Sequence, residues 1–166
     1  MANATYSLIS SNTLSGNSTT GITWSNIPQT FDDLVIITNW TAINISNIFM
    51  RFNNDSTASA YINTQLFYYT GGASVISGSS LSNKIDCLTV TGGSTNGTWS
   101  NQQLYINEYR NTNIWKSITT RGGNNKEINF ASATWKNTSS IDRIDIFPDG
   151  TLSANSIFTL YGIKAG

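Results

Sequence analysis

The chain has 166 residues, nine basic and nine acidic side chains, no histidine and a single cysteine. Its formal net charge of zero gives no electrostatic footprint for nucleic acid and none for a membrane surface. The absence of histidine excludes Ser-His-Asp and Cys-His catalysis and every zinc site that needs histidine. A chain of this length is expected to form one domain, here residues 1–166.

Short runs of alternating apolar and polar residues recur along the whole chain, and this period of two is typical of β-strands. About eleven runs predict strands, at residues 6–9, 22–24, 33–40, 48–52, 61–69, 85–90, 103–109, 114–120, 128–135, 141–147 and 157–163. No window has the spacing of an amphipathic helix. The sequence therefore predicts an all-β fold, an antiparallel β-sandwich of jelly-roll type with negligible helix.

Glycine-containing turns are expected between several of these strands. Glycine pairs follow apolar runs at residues 71–72, 92–93 and 122–123, and glycine readily supplies the positive φ of tight turns. We expect the last pair to turn the chain between the two strands of a hairpin. Asp149 and Gly150 predict another turn before the closing strand.

Acidic residues are the remaining candidates for catalysis, because glycoside hydrolysis needs only two carboxylates at a suitable separation. Arg143 and Asp145 share one face of a predicted strand and predict an ion pair there. Asp32 and Asp33 stand at a strand start, where carboxylates commonly accept hydrogen bonds from turn amides. We expect that no carboxylate pair is catalytic and that the protein is not an enzyme.

Two loops, residues 53–57 and 149–150, could supply oxygen ligands to calcium. Neither matches a twelve-residue acidic calcium loop, and clusters of Asn and Asp between strands are ordinary turn chemistry. The sequence also lacks the glycine-rich motifs that hold phosphate groups. We expect no bound metal and no cofactor.

The five tryptophans divide into two groups. Trp24, Trp40, Trp115 and Trp135 lie within or at the ends of predicted strands, which predicts packing in the core or at the edge of the sandwich. Trp99 follows a long polar turn, so it is a candidate exposed contact for a sugar ring or a partner protein. The alternative is that Trp99 begins a strand and caps the core.

The single cysteine and the N-terminus bear on where the protein is made. Cys87 lies in an apolar run, where a buried, inert thiol is expected. The first residues have neither the basic nor the apolar region of a secretion signal. The longest apolar stretch, residues 34–37, is far too short to span a membrane. We expect synthesis in a cytoplasm, without export by a secretion signal.

Three segments carry a resemblance to a known class of proteins: Tyr-Ser-Leu-Ile-Ser-Ser at 6–11, residues 22–36, and Phe-Thr-Leu-Tyr-Gly-Ile-Lys at 158–164. Together they resemble small virion proteins of tailed bacteriophages, and Ile-Pro-Gln-Thr-Phe-Asp-Asp-Leu at 27–34 is the most specific part. The residues between about 39 and 155 show no such resemblance. The resemblance implies a virion component without catalytic residues. The residues of the motif themselves predict that Pro28 orients the chain in a turn, that Phe31 anchors it and that residues 34–37 enter the centre of a sheet.

Two functions from different classes fit this resemblance. The first is a capsid decoration (cement) protein on the outer surface of the head, with the major capsid protein as partner. The second is a tail-fibre or head-fibre adhesin module that holds host-surface carbohydrate through Trp99. The chain has no heptad segment that would trimerise a fibre shaft, and the resemblance reaches both ends, so decoration is the favoured interpretation.

The low charge also predicts how the protein would attach. Long-range steering is weak for a neutral chain, so attachment should depend on apolar burial and short hydrogen bonds. Its 21 asparagines, 22 serines and 22 threonines offer many such bonds. We expect a small symmetric homo-oligomer, with a trimer at a local three-fold position as the leading arrangement, although no residue specifies the number of subunits.

Overall fold

A computed structural model describes residues 5–43, 47–69, 75–89, 98–125 and 127–164. These described residues form fourteen strands and no helix, and none of them forms a helix long and apolar enough to cross a membrane. The strands are β1 Tyr6–Thr13, β2 Ile22–Trp24, β3 Asp33–Trp40, β4 Ala42–Ile43, β5 Asn47–Phe52, β6 Tyr61–Tyr69, β7 Val75–Ser82, β8 Ile85–Thr89, β9 Ser100–Ile106, β10 Lys116–Gly123, β11 Glu127–Trp135, β12 Ile144–Pro148, β13 Thr151–Leu152 and β14 Ile157–Ile163.

Two antiparallel sheets make a sandwich. The larger has the order β1-β14-β3-β9-β10-β11-β6-β7, and the smaller has the order β2-β12-β5-β8. Eight of these strands form four nested antiparallel pairs, in which the first strand pairs with the last and each further pair lies inside the one before it. The pairs are β1 with β14, β2 with β12, β3 with β9, and β5 with β8. Nested antiparallel pairing is what results when one long ribbon rolls up, and it defines the jelly roll. The predicted fold is confirmed.

Two hairpins are inserted into this roll. The hairpin β6–β7 follows β5, and the hairpin β10–β11 follows β9. Strand β10 pairs with β9, and β11 pairs with β6 over nine residues, so the hairpins extend the larger sheet from four strands to eight. Strands β6 and β11 also lie against β8 of the smaller sheet.

The core lies between the two sheets of the roll. Apolar side chains on the inner faces of β3, β9 and β14 meet those of β5 and β12. All of the following are buried: Leu34, Ile36, Leu104, Ile106, Phe158, Leu160, Met50, Phe52, Ile144 and Ile146. Trp24, Trp40 and Trp135 are buried in the same core, as their positions in predicted strands indicated.

The segments that resemble virion proteins come together in space. Strand β14 lies between β1 and β3, so residues from both ends of the chain are hydrogen-bonded neighbours. Phe31 packs directly on Gly162, where an added Cβ would lie 2.3 Å from two carbons of the ring. Phe31 therefore anchors the segment before β3, as expected, and only glycine leaves room for its ring.

Glycines 122 and 123 were predicted to form a turn, and this is wrong. Both belong to β10, which pairs with β9 and β11 through these residues. A Cβ on Gly122 would lie 2.3 Å from Cγ of Gln102 and 2.4 Å from the carbonyl oxygen of Asn101. The glycine therefore permits a close approach of neighbouring strands, which is another use of the missing side chain.

Other predicted boundaries also shift. Strand β9 ends at Ile106, and residues 107–110 form a turn in which Glu108 has a φ of 43°. Strands β4, β7 and β13 were not predicted. Residues 149–150 do form a bend, but it leads to β13. The predicted turns at 71–72 and 92–93 and the side chain of Cys87 lie outside the described residues.

Candidate functional site

The loop between β9 and β10, residues 107–115, is organised by a buried lysine. Lys116 is fully buried, and its Nζ donates hydrogen bonds to the carbonyl oxygens of Asn111, Ile114 and Thr138. Burial lowers the pKa of Lys116 below its ordinary value, so the three acceptors are needed to offset the loss of water. They fix the shape of the loop.

This loop exposes two large apolar side chains next to each other. Ile114 is 43% exposed and Trp115 is 54% exposed. The prediction that Trp115 packs in the core or at the sandwich edge is wrong. Strand β10 begins at Lys116, and its alternation places Lys116, Ile118 and Thr120 inside, so the residue before Lys116 faces outward.

A polar groove of about 1180 Å³ lies beside the loop. Its carboxylates are occupied by structural partners. Asp33 accepts hydrogen bonds from the backbone amide of Glu108 at 2.7 Å and from the hydroxyl of Tyr105 at 2.5 Å. Asp32 pairs with Arg110. The expectation that Asp33 meets a turn amide is confirmed, and these side chains hold the loop against the start of β3.

The remaining acidic candidates have the same structural character. Arg143 and Asp145 form the predicted ion pair, with 2.7 Å between Nη2 and Oδ1, and this raises the pKa of Arg143. In the loop at 53–57, Asn53 Oδ1 accepts from the backbone amides of residues 142 and 143, and Asp55 accepts from Trp135 Nε1 at 2.7 Å. Within the described ranges, no three His, Cys, Asp or Glu side chains are grouped to hold a metal ion.

The outer face of the larger sheet, which points away from the smaller sheet, is the second candidate surface. At β3 the outward-facing Val35 is fully buried. It pairs with Tyr161 on one side and Tyr105 on the other, and Tyr6 packs edge-on against Tyr161 with 6.2 Å between ring centroids. These rings flank Val35 and form a tyrosine cluster (Tyr6, Tyr105 and Tyr161).

Further along the same face, apolar side chains are uncovered. On β6 and β11, Leu66 pairs with Phe130 and Tyr68 pairs with Ile128. Each of the four is between 45% and 54% exposed. We call these four residues the apolar patch. Neighbouring exposed apolar side chains of this kind make the patch a candidate contact surface.

A shallow groove of about 410 Å³ lies between the tyrosine cluster and the apolar patch. Tyr6 and Tyr105 line one side and Phe130 lines the other, and Gln103, Thr119 and Arg121 lie between them. This aromatic and polar combination was not anticipated from the sequence. Its residues come from four strands, and their adjacency depends on the inserted hairpins.

Trp99, the predicted contact residue, is 44% exposed directly before β9. Trp115 follows the far end of the same strand, so the two tryptophans lie at opposite ends of the sandwich, roughly 20 Å apart along seven residues of strand. The structure therefore leaves Trp99 accessible but does not bring it together with Ile114 and Trp115.

Comparisons with known proteins identify no family for this chain. No protein-family model matches the chain, and no curated protein matches its sequence. Among solved structures, the crystal structure of exo-inulinase from Aspergillus awamori is similar to 95% of this chain and 29% of the enzyme's chain, with a TM-score of 0.49 and 11% identity. The chain thus spans less than a third of that enzyme. Similarity at this level carries no argument about activity.

Proposed function

We propose that this chain is a non-enzymatic structural protein of a bacteriophage virion, a decoration protein on the outer surface of the head. The jelly roll is a fold used by viral capsid proteins and by lectins. Parts of all three segments that resemble virion proteins are neighbouring strands of the larger sheet, in the order β1, β14 and β3. Neutral net charge allows many copies to lie close together with little repulsion.

The observation that carries the proposal is the exposed pair Ile114 and Trp115 on a loop fixed by Lys116. Interfaces draw most of their binding energy from a few anchors, and tryptophan is enriched among them. An anchor that is already rigid loses little conformational entropy on binding. The polar groove beside the pair adds amide and hydroxyl groups for short hydrogen bonds. The major capsid protein is the proposed partner.

The absence of enzymatic activity is part of the proposal. Three carboxylates line the polar groove, and all have structural partners: Asp32 pairs with Arg110, Asp33 holds the turn at Glu108, and the Glu108 carboxylate accepts from Asn111 Nδ2. A carboxylate engaged in this way is poorly placed to act as a general acid or a nucleophile. Reproducible glycan hydrolysis that is lost when one Asp or Glu is replaced would contradict this part of the proposal.

Copies of the protein are proposed to associate as a small symmetric oligomer, a trimer where the shell has local three-fold symmetry. Strands β1 and β7 lie at the two edges of the larger sheet. An edge strand can pair with a strand of a neighbouring chain. Analytical ultracentrifugation of the purified protein gives the number of copies directly.

Attachment is tested with purified heads that lack the protein. Trp115→Ala should weaken binding about thirtyfold, the effect of losing a hot-spot residue of about 2 kcal/mol. Trp99→Ala is the matched control at the opposite end and should bind as the unmodified protein does. Binding should change little with salt, because few charge pairs are available to screen. Unchanged binding of the Trp115→Ala protein would overturn this attachment.

The alternative function is a tail-fibre or head-fibre adhesin module that binds host-surface carbohydrate. The observation that favours it is the aromatic groove on the outer face of the larger sheet. Copy number separates the two functions, since a cement protein is present in hundreds of copies per virion and a tail appendage in a few dozen at most. Gel densitometry of purified virions measures it.

A further inference from the structure

We infer that the groove between the tyrosine cluster and Phe130 binds an acidic carbohydrate, that is, a glycan that carries a carboxylate. This site goes beyond head attachment, because it lies on the face of the larger sheet and shares no residue with the loop at Ile114 and Trp115. Three features of the groove support this: an arginine without an acidic partner, two aromatic walls, and polar groups spaced to hold hydroxyls.

Arg121 provides the charge. Its Nε and Nη2 both donate to a single acceptor, Oε1 of Gln103, at 2.9 and 2.6 Å. The outer edge of the guanidinium, formed by Nη1 and the second hydrogen of Nη2, has no partner among the described residues. The ion pairs within the described ranges are Arg110 with Asp32 and Arg143 with Asp145. This free edge has the geometry that binds a carboxylate through two parallel hydrogen bonds.

The walls of the groove are aromatic. Tyr105 is held in place because its hydroxyl donates to Asp33 at 2.5 Å, and Tyr6 is held by its edge-on contact with Tyr161. Phe130 stands opposite and is 53% exposed. One side of a pyranose ring presents C–H groups and is apolar, so it packs on an aromatic ring much as another apolar surface does.

Between the walls lie groups suited to sugar hydroxyls. Gln103 Oε1 accepts both hydrogen bonds from Arg121, and this orients the amide Nε2 of Gln103. Neither that Nε2 nor the hydroxyl of Thr119 bonds to any described side chain or backbone group. The groove volume of about 410 Å³ falls in the range of about 300–1,000 Å³ that is usual for small-ligand sites. The remaining members of the apolar patch, Leu66, Tyr68 and Ile128, continue the platform beyond Phe130 for a longer chain.

A glycan fits these features better than a nucleic acid or a peptide. Nucleic-acid binding needs several cations along a track, whereas Arg121 is the cation of this groove. An extended peptide is bound mainly through backbone hydrogen bonds to a strand edge, whereas the groove lies across strands that are already paired on both sides. Hydroxyl-binding groups between two aromatic walls match a sugar ring.

The test measures binding of the full-length protein to matched sugars by isothermal titration calorimetry and ligand-detected NMR. The acidic probes are 3′-sialyllactose, trigalacturonate and trimannuronate, and the neutral counterparts are lactose and the two methyl-esterified trimers. At least one acidic probe should bind tenfold or more tightly than its neutral counterpart. The inference is overturned if no acidic probe binds or if acidic and neutral probes bind equally.

Variants locate the binding in the groove. Arg121→Gln should reduce the affinity for the acidic probe to that of its neutral counterpart, and Phe130→Ala should weaken both. Arg51→Gln, which removes one cation from the smaller sheet, is the matched control and should change neither. An Arg121→Gln protein that still prefers the acidic probe, with an unchanged thermal midpoint, would also overturn the inference.

Glycan binding and head attachment can be tested independently of each other. Arg121→Gln should bind purified heads normally, and Trp115→Ala should bind the acidic probe normally. Loss of glycan binding in the first variant with intact head binding supports the groove whatever the location of the protein in the virion. Failure of the Trp115→Ala prediction leaves the glycan result intact, because the two sites have no residue in common.

Discussion

The two halves of the larger sheet bury different proportions of polar side chains. In the roll half (β1, β14, β3 and β9), most of the buried inner side chains are apolar, and Leu34 is one that packs against the smaller sheet. In the inserted half (β10, β11, β6 and β7), Tyr61 and Trp135 also join the core, but Asn63 occupies a buried inner position. Phe130 is exposed on the outer face of this half. The alternation of side chains therefore builds core in both halves and exposes the apolar patch in the inserted half.

The reach of the smaller sheet bears on this difference. It has four strands and ends at β8, which meets the inserted half at β6 and β11. Contact between the smaller sheet and the inserted half includes the packing of Phe52 on the ring of Trp135. It also includes hydrogen bonds: Asn63 Nδ2 donates to the carbonyl of Lys84 at 3.1 Å, and Asn63 Oδ1 accepts from the amide of Asp86 at 3.0 Å. The polar inner position at Asn63 is therefore satisfied at the edge of the smaller sheet.

The largest expected effect is a loss of stability from a substitution in the core of the roll half. Leu160→Ala should lower the free energy of unfolding by about 2–5 kcal/mol, because it leaves a cavity in a fully buried core. Leu66→Ala removes the same atoms from the outer face of the inserted half, where the side chain is 45% exposed, and should cost much less. Urea unfolding measures both. Equal losses in the two proteins would contradict the difference in burial between these two positions.

A smaller loss is expected at the polar contact between the inserted half and the smaller sheet. Asn63→Ala removes the partners of two backbone groups that lie in a buried contact, which should cost about 1–3 kcal/mol. Thr64→Ala is the matched control, because the next residue of β6 faces outward and is exposed. Urea unfolding should place the midpoint of the Asn63→Ala protein clearly below that of the control. If the two midpoints coincide, the hydrogen bonds of Asn63 contribute little to this contact.

The roll half could be predicted well from the sequence, for a physical reason. Its strands at 33–40 and 157–163 have the predicted bounds, since β-branched and large apolar residues are concentrated there. The anchoring of Phe31 was expected as well. In this half one set of alternate residues is clearly more apolar than the other, so periodicity indicates both the strand and the side that is buried.

The inserted half could be predicted only in part. Periodicity correctly predicted β6, but it could not show that Tyr61 and Asn63 face inward while Leu66 and Tyr68 face outward, because both sets contain apolar residues. Strand β7 was missed because Ser and Gly dominate residues 75–82. The glycan groove was beyond prediction, since its residues meet only after β10 is placed beside β9.

The turn composition Asn-Thr-Asn at 111–113 was the available signal for the exposed tip. It marks the residues before Lys116 as loop, which argues that Ile114 and Trp115 precede the strand. Lys116 obscures the strand pattern in the sequence. A charged residue at an inner position makes the inner face of the strand look like the outer face. Buried lysines of this kind become visible only when their acceptors are known.

The smallest expected effect is on the pH dependence of stability, and it comes from Tyr105. This residue belongs to the tyrosine cluster on the outer face of the roll half. Its hydrogen bond to Asp33, together with partial burial, raises the pKa of Tyr105 to about 12. Above pH 10 the folded protein keeps a proton on Tyr105 that the unfolded chain has lost, since an ordinary tyrosine has a pKa of about 10. A state that binds more protons is disfavoured as the pH rises. This contribution to stability is therefore complete below pH 10 and is lost as the pH approaches 12.

Tyr105→Phe should make the unfolding free energy fall less steeply between pH 10 and 12, and tyrosinate absorbance should show one group fewer titrating near pH 12. Tyr68→Phe, on the outer face of the inserted half, is the control for the loss of a hydroxyl and should change the free energy of unfolding at neutral pH little, because the Tyr68 hydroxyl has no partner among the described residues. The Tyr105→Phe substitution keeps an aromatic ring as the wall of the groove, so glycan affinity should be retained. An unchanged slope in the Tyr105→Phe protein would mean that Asp33 does not hold the hydroxyl, and that the tyrosine cluster is less rigid than the groove requires.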